Sequence, residues 1–151
     1  MTPGGVSARV ISRRLQMIQE LLQQIRTLPL DSHDTFLADR RNYSIAESCL
    51  RRSLEALLDI GRHILAKGYG RAVSEYKQIA ALLQEYEALS ANEARVLRTL
   101  AGYRNRMVHF YYEVTEEELY RICAQELGDF ERIGDAYRRW VKQHPDKMEQ
   151  A

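Results

Sequence analysis

From Ala46 to Leu65 the chain carries one unbroken apolar stripe: Ala46, Cys49, Leu50, Ser53, Leu54, Leu57, Leu58, Gly61, Ile64 and Leu65. Spacings of three and four residues place all ten on one face of a helix. Arg51, Arg52, Glu55, Asp59, Arg62 and Lys67 take the other faces. Such a helix draws its stability from burying the stripe against neighbours rather than from propensity alone. The rest of the chain must therefore supply apolar faces of the same kind.

It does. Ile11, Leu15, Ile18, Leu21, Leu22, Ile25 and Leu28 predict a first helix over Ser7–Leu28, stopped by Pro29. The long stripe belongs to a second helix from about Asp34 to Lys67, ended by Gly68-Tyr69-Gly70. A short third helix runs over Ser74–Tyr86, with Ile79, Leu82, Leu83 and Tyr86 inside. A fourth follows the capping box Ser90-Ala91-Asn92-Glu93, with the stripe Leu97, Leu100, Ala101, Arg104, Met107, Val108 and Tyr111. A second box, Thr115–Glu118, opens a fifth helix carrying Leu119, Ile122, Cys123, Leu127, Phe130, Ile133, Tyr137 and Trp140. No strand-like alternation, hairpin turn or fixed repeat occurs. Short connections make neighbouring helices antiparallel, so the fold class is all-α, an up-and-down bundle of about five helices. The domain plan is a loose leader (1–6), one helical domain (7–142) and a polar tail (143–151).

A chain of 151 residues suits a single domain with its own core. Its net charge of +1 argues against indiscriminate coating of nucleic acid, so any nucleic-acid site has to be a local patch. Cys49 and Cys123 each fall on an apolar stripe and read as reduced core thiols. No Cys/His spacing suits zinc, and no metal or other cofactor is expected. With no signal-peptide core and no membrane-length apolar run, a cytoplasmic location is the default expectation.

One segment breaks the bundle pattern: Tyr103-Arg104-Asn105-Arg106-Met107-Val108-His109-Phe110-Tyr111-Tyr112. Arg104 stands in register with core positions, where a guanidinium needs a carboxylate such as Asp59 or Asp129, or a wet cleft. Arg95, Arg98, Arg104 and Arg106 give the stretch Arg95–Tyr112 a charge of +4, with no Asp or Glu in it. Taken by itself, that charge is better explained as a solvated basic face. The flanking rings (Tyr103, His109, Phe110, Tyr111, Tyr112) suit stacking on unpaired bases, or a core at a helix end. Residues five apart are turned by about 140° on a regular helix, so Arg104 and His109 diverge unless the helix loosens near Phe110 or a second subunit contributes. A symmetric dimer with two copies of the fourth helix side by side would gather two arginines and two histidines.

Arg104, His109 and Tyr111 form an Arg-x-x-x-x-His-x-Tyr motif. It resembles that of the HepT-like toxins of the HEPN superfamily. Asn105, the Val108-His109 pair, Leu37-Ala38-Asp39-Arg40, Ala46–Leu50, Ala56–Gly61 and Thr115–Tyr120 extend the resemblance over about Ser7 to Val141. The resemblance implies a toxin of a type VII toxin–antitoxin system: a homodimeric, metal-independent RNase, with tRNA as a candidate substrate. Its partner would be a minimal nucleotidyltransferase antitoxin of the MntA type, silencing the toxin by moving AMP onto Tyr111. Tyr112, directly adjacent, is the alternative acceptor.

In that chemistry RNA brings its own nucleophile, the 2′-hydroxyl. His109 is the general base, since histidine ordinarily titrates near neutrality. Arg104 is the fork that stabilises the charged phosphorane, and Asn105 orients the phosphate or His109. Arg106, Arg98 and Tyr112 are candidate RNA contacts. The expected products carry a 2′,3′-cyclic phosphate and a 5′-hydroxyl. Two rivals remain open: a non-catalytic nucleotide-binding or scaffolding partner of a nucleotidyltransferase, and a generic helical adapter whose Arg104 is buried on a carboxylate. Asp39 and Glu47 flank the site only if the second helix packs beside the fourth.

Overall fold

The computed structural model describes residues 5–109 and 114–150. Among the described residues the chain is all helical, with seven α-helices: α1 (Ala8–Arg26), α2 (His33–Ala38), α3 (Arg40–His63), α4 (Ile79–Glu85), α5 (Ala91–His109), α6 (Glu116–Gln125) and α7 (Leu127–Gln143). A π-turn (Ile64–Gly68) extends α3, and short 3-10 turns cover Tyr76–Gln78 and Pro145–Lys147.

The seven helices are the five expected stretches with two divided. The long second stretch breaks at Asp39, whose backbone is extended (φ −121, ψ 109) and whose carboxylate accepts the Arg41 N–H at 3.0 Å. That capping bond starts α3 afresh, and Ser32 caps α2 in the same way. Asp39 is thus a cap on α3. The fifth stretch breaks at Glu126, which sits between the apolar positions Cys123 and Leu127 and so leaves the stripe intact. The Ser90 box closes with both bonds, Ser90 N–H to Glu93 at 2.9 Å and Glu93 N–H to Ser90 at 3.1 Å.

α3 is the axis of the bundle. α1 lies along it, and α2, α4, α5, α6 and α7 all contact it. Along its second half it is buried nearly all round, with Ala56, Leu57, Leu58, Ile60 and Gly61 inside. Gly61 is required by close approach. A Cβ there would stand 2.8 Å from Ile79 Cγ2 and 2.9 Å from the Tyr137 hydroxyl. That hydroxyl donates to the Leu57 carbonyl at 3.1 Å, tying α7 to α3. Beyond the π-turn, Gly70 takes a positive φ of 65 and Arg71 N–H closes on the Leu65 carbonyl at 2.9 Å, ending the helix.

Val6, expected in a loose leader, is fully buried, and the segment after Gln143 is held against it. Val6 N–H donates to the Lys147 carbonyl at 3.1 Å, Glu149 N–H to the Val6 carbonyl at 2.8 Å, and Gly5 N–H to the Lys67 carbonyl at 3.3 Å. These are backbone bonds between distant segments, which hydropathy does not reveal. Both cysteines are buried and unbridged, and burial pushes the Cys123 thiol up to about 12. No helix among the described residues is long and apolar enough to cross a membrane.

Candidate active site

The buried face of α5 consists of Ala94, Leu97, Leu100 and Ala101. After Ala101 the helix leaves the core, and Val108 and His109 are exposed. Arg104 stands at the exit, so its place on the apolar stripe does not sink it in the interior. Its side chain keeps 17% of its surface in solvent. One Nη donates to Glu55 Oε2 at 3.2 Å and the other to Asn105 Oδ1 at 3.3 Å, while the guanidinium carbon lies 4.6 Å from the centre of the Tyr76 ring.

The partner carboxylate is therefore Glu55, not Asp59 or Asp129. Asp59 accepts the Tyr76 hydroxyl at 2.7 Å and has Arg62 and Arg14 at 3.5 and 4.0 Å. Asp129 pairs with Arg132 along its own helix at 3.7 Å. Glu55 is shared with Arg51, which in turn holds Glu47, so Arg104 ends a chain of alternating charges along α3.

Arg104, Asn105 and His109 open onto one cleft of about 770 Å³, lined also by Arg62, Ser74, Glu75, Tyr76 and Lys77. α5 stays regular through His109, so loosening of the helix is not what brings them together. Asn105 and His109 are one turn apart on the same face. The long Arg104 side chain reaches the same cleft from the adjoining face, within a single chain. Burial and the bond to Asp59 push the Tyr76 hydroxyl up to about 12, which keeps it a proton donor to that carboxylate.

Arg106 lies apart. It forms a two-pronged ion pair with Glu118 at 2.9 and 2.6 Å, which lowers the Glu118 carboxyl below its usual range. It lines a second cavity of about 630 Å³ with Arg40, Tyr43 and Glu47. Arg98 is exposed, six residues before Arg104, and lines neither cavity. Phe110, Tyr111 and Tyr112 fall outside the described residues. Among the described residues no group of three or more His, Cys, Asp or Glu is placed to hold a metal ion.

Three residues of the cleft region escaped the sequence reading: Glu55 and Arg62, which read as the solvated side of a long helix, and Tyr76. The available signal was Tyr76 itself, a ring set between Glu75 and Lys77 in a polar connection.

The described helices thus form an all-α bundle that brings Arg104, Asn105 and His109 of the Arg-x-x-x-x-His segment to one cleft. Residues 11–136 match the family described as Ribonuclease HepT-like, and the chain belongs to that family. It is 27% identical over 122 residues to the tRNA nuclease HepT of Aphanizomenon flos-aquae, covering 80% of this chain and 82% of that protein. Its fold is similar to that of the tri-AMPylated Shewanella oneidensis HEPN toxin, solved in complex with an MNT antitoxin. The TM-score is 0.77 at 22% identity, over 86% of this chain and 97% of that one. It also resembles the cytosolic Bacillus subtilis protein YutE, with a TM-score of 0.74 at 18% identity over 96% and 98% of the two chains.

Proposed function

We propose that this chain is the toxin of a toxin–antitoxin pair, a metal-independent ribonuclease that acts through Arg104, Asn105 and His109. The observation that carries the reading is that these three side chains line one open cleft, with Arg104 held in place by Glu55 and Tyr76. His109, exposed at the rim, takes the proton of an RNA 2′-hydroxyl. The oxygen attacks the adjacent phosphorus, and Arg104 stabilises the charge that builds on the phosphorane. Expulsion of the 5′-oxygen, with a proton delivered to it, leaves a 2′,3′-cyclic phosphate and a 5′-hydroxyl. In a homodimer the second His109 is the natural donor of that proton. Asn105, bonded to Arg104, orients the guanidinium.

The substrate is RNA, and tRNA is the class named for the Aphanizomenon relative. The partner is an MNT-type nucleotidyltransferase, by analogy with the Shewanella complex. The motif tyrosine, Tyr111, is the residue that accepts AMP. AMP there would add a negative charge within the +4 stretch and compete with RNA phosphate for the arginines.

The adapter reading requires an Arg104 sealed away from solvent, and its position in an open cleft weighs against that. The scaffold reading keeps the cleft but not the cleavage. Induced expression in a bacterial host separates them. The natural sequence arrests growth, and Arg104→Ala and His109→Ala do not. Arrest that persists in both variants would sink the proposal.

A further inference from the structure

The cleft holds a second arginine that the motif does not contain. Arg62, on the last turn of α3, places its guanidinium carbon 4.5 Å from the centre of the same Tyr76 ring that Arg104 covers at 4.6 Å. The two cations thus lie within about 9 Å of each other, on residues 42 positions apart. Tyr76 is fixed in turn by its hydroxyl bond to Asp59.

Arg62 is poorly satisfied by the protein. Its nearest carboxylate oxygen, on Asp59, is 3.5 Å away, and Asp59 is shared with Arg14 and Tyr76. Its other bond, to the Ser74 carbonyl, is also 3.5 Å. The Nε atoms of both Arg62 and Arg104 are buried without a hydrogen-bond partner. Two guanidinium groups held over one ring repel each other. The ring's negative charge density offsets part of that, and anions bound to the two groups from the cleft would offset more. Among the described residues, Arg62, Lys77 and Arg104 line the cleft against one lining carboxylate, Glu75, which Lys77 pairs with at 3.3 Å.

We infer that Arg62 is a second phosphate-holding cation of the cleft, gripping the phosphodiester next to the one that Arg104 and His109 act on. Tyr76 is the positioning residue that sets the spacing of the two arginines. The inference rests on the ribonuclease reading, and it assigns the site a single strand of at least two consecutive phosphates rather than a lone nucleotide. Arg62 then serves binding, while Arg104 and His109 serve the chemical step.

The test uses a fluorescent single-stranded RNA oligonucleotide that is 2′-O-methylated, and so cannot be cut. Its binding is followed by anisotropy across a range of KCl. Loss of one phosphate contact on a single strand lowers the slope of log affinity against log salt by about 0.7. Arg62→Gln should lower the slope by that amount and weaken binding about ten-fold at low salt; Arg62→Lys should restore the slope. With unmethylated RNA, Arg62→Gln should raise KM and leave kcat nearly unchanged. Tyr76→Leu, which keeps both charges but removes the platform, should raise KM at an unaltered salt slope, and melting curves check that each variant is folded. A folded Arg62→Gln variant with the original slope and KM would overturn the assignment, even if His109→Ala abolished cleavage and so upheld the ribonuclease reading. Failure of the unaltered chain to bind or cut RNA would overturn both.

Discussion

Arg104 and Glu55 meet across the packed pair α5 and α3, with Nη2 3.2 Å from Oε2, and the two side chains are 17% and 30% exposed. The pair aims a guanidinium without sealing it from the cleft. Removing Arg104 leaves Glu55 its second partner, Arg51 at 3.3 Å, so no carboxylate is stranded. Arg104→Ala should therefore stay folded by thermal melting while RNA cleavage falls by about 10²–10³-fold. Arg104→Lys should recover only part of the rate, since an ammonium lacks the planar fork. Glu55→Gln keeps an acceptor but loses the charge, and should cost less than Arg104→Ala. Full activity in Arg104→Lys would contradict this use of the fork.

A pH dependence of stability should come from His63. Its Nε2 accepts the Ser7 N–H at 3.0 Å, which the ring does only when that nitrogen is unprotonated. Burial, then the charges of Lys67 and Arg14, lower its pKa from 6.5, and Glu149 opposes them. A folded pKa below the unfolded one means that the native state binds fewer protons. The contribution of His63 is therefore present above pH 6.5 and is lost as pH falls from there through the lowered folded value. Urea midpoints should fall between about pH 7.5 and pH 5, and His63→Gln, whose amide oxygen accepts the same bond, should fall less. An equal fall in both proteins would remove His63 as the cause.

Gly61→Ala tests the packing at the centre of the bundle. In an open helix the change would stabilise by up to about 1 kcal/mol. Here the new methyl meets Ile79 and the Tyr137 hydroxyl inside 3 Å. Overpacking of this kind costs about 1–3 kcal/mol, so a net loss is expected in denaturant unfolding. A gain would mean that α4 and α7 yield more easily than their contacts suggest.

Tyr111→Phe tests the proposed silencing. A phenyl ring cannot accept AMP, so the variant should remain toxic and resist a co-expressed nucleotidyltransferase partner. Mass spectrometry of the unaltered chain should place the added AMP on Tyr111. AMP found on Tyr112 alone would move the acceptor by one residue.

The fold was legible wherever a helix shows one apolar face to its neighbours: the stripes of α1, α3 and α7 match the buried sets, whereas the stripe expected for α5 is buried only through Ala101, with Val108 exposed. Helix boundaries were less so. Asp39 and Glu126 break helices without interrupting a stripe, because the break lies in backbone angles and cap bonds rather than in hydropathy. The Thr115 box read from the sequence makes its bond to the Glu118 N–H, yet the Glu118 carboxylate is taken by Arg106, a contact from another helix. In the site, Asn105 and His109 follow from helical spacing within α5. Glu55 and Tyr76 did not, because their contacts with Arg104 depend on how α3 and the Tyr76 turn pack against α5. Charged residues on the outer faces of a long helix look alike in sequence. Only packing tells Glu55 and Arg62 from a solvated side.

Metal-independent cleavage through His109 is tested by cutting RNA with the purified chain in excess EDTA and mapping the ends of the products. Cutting should survive the chelator, leave 2′,3′-cyclic phosphate and 5′-hydroxyl ends, and slow by about 10²–10⁴-fold in His109→Ala. Cutting abolished by the chelator, 5′-phosphate ends, or an unchanged rate in His109→Ala would contradict it.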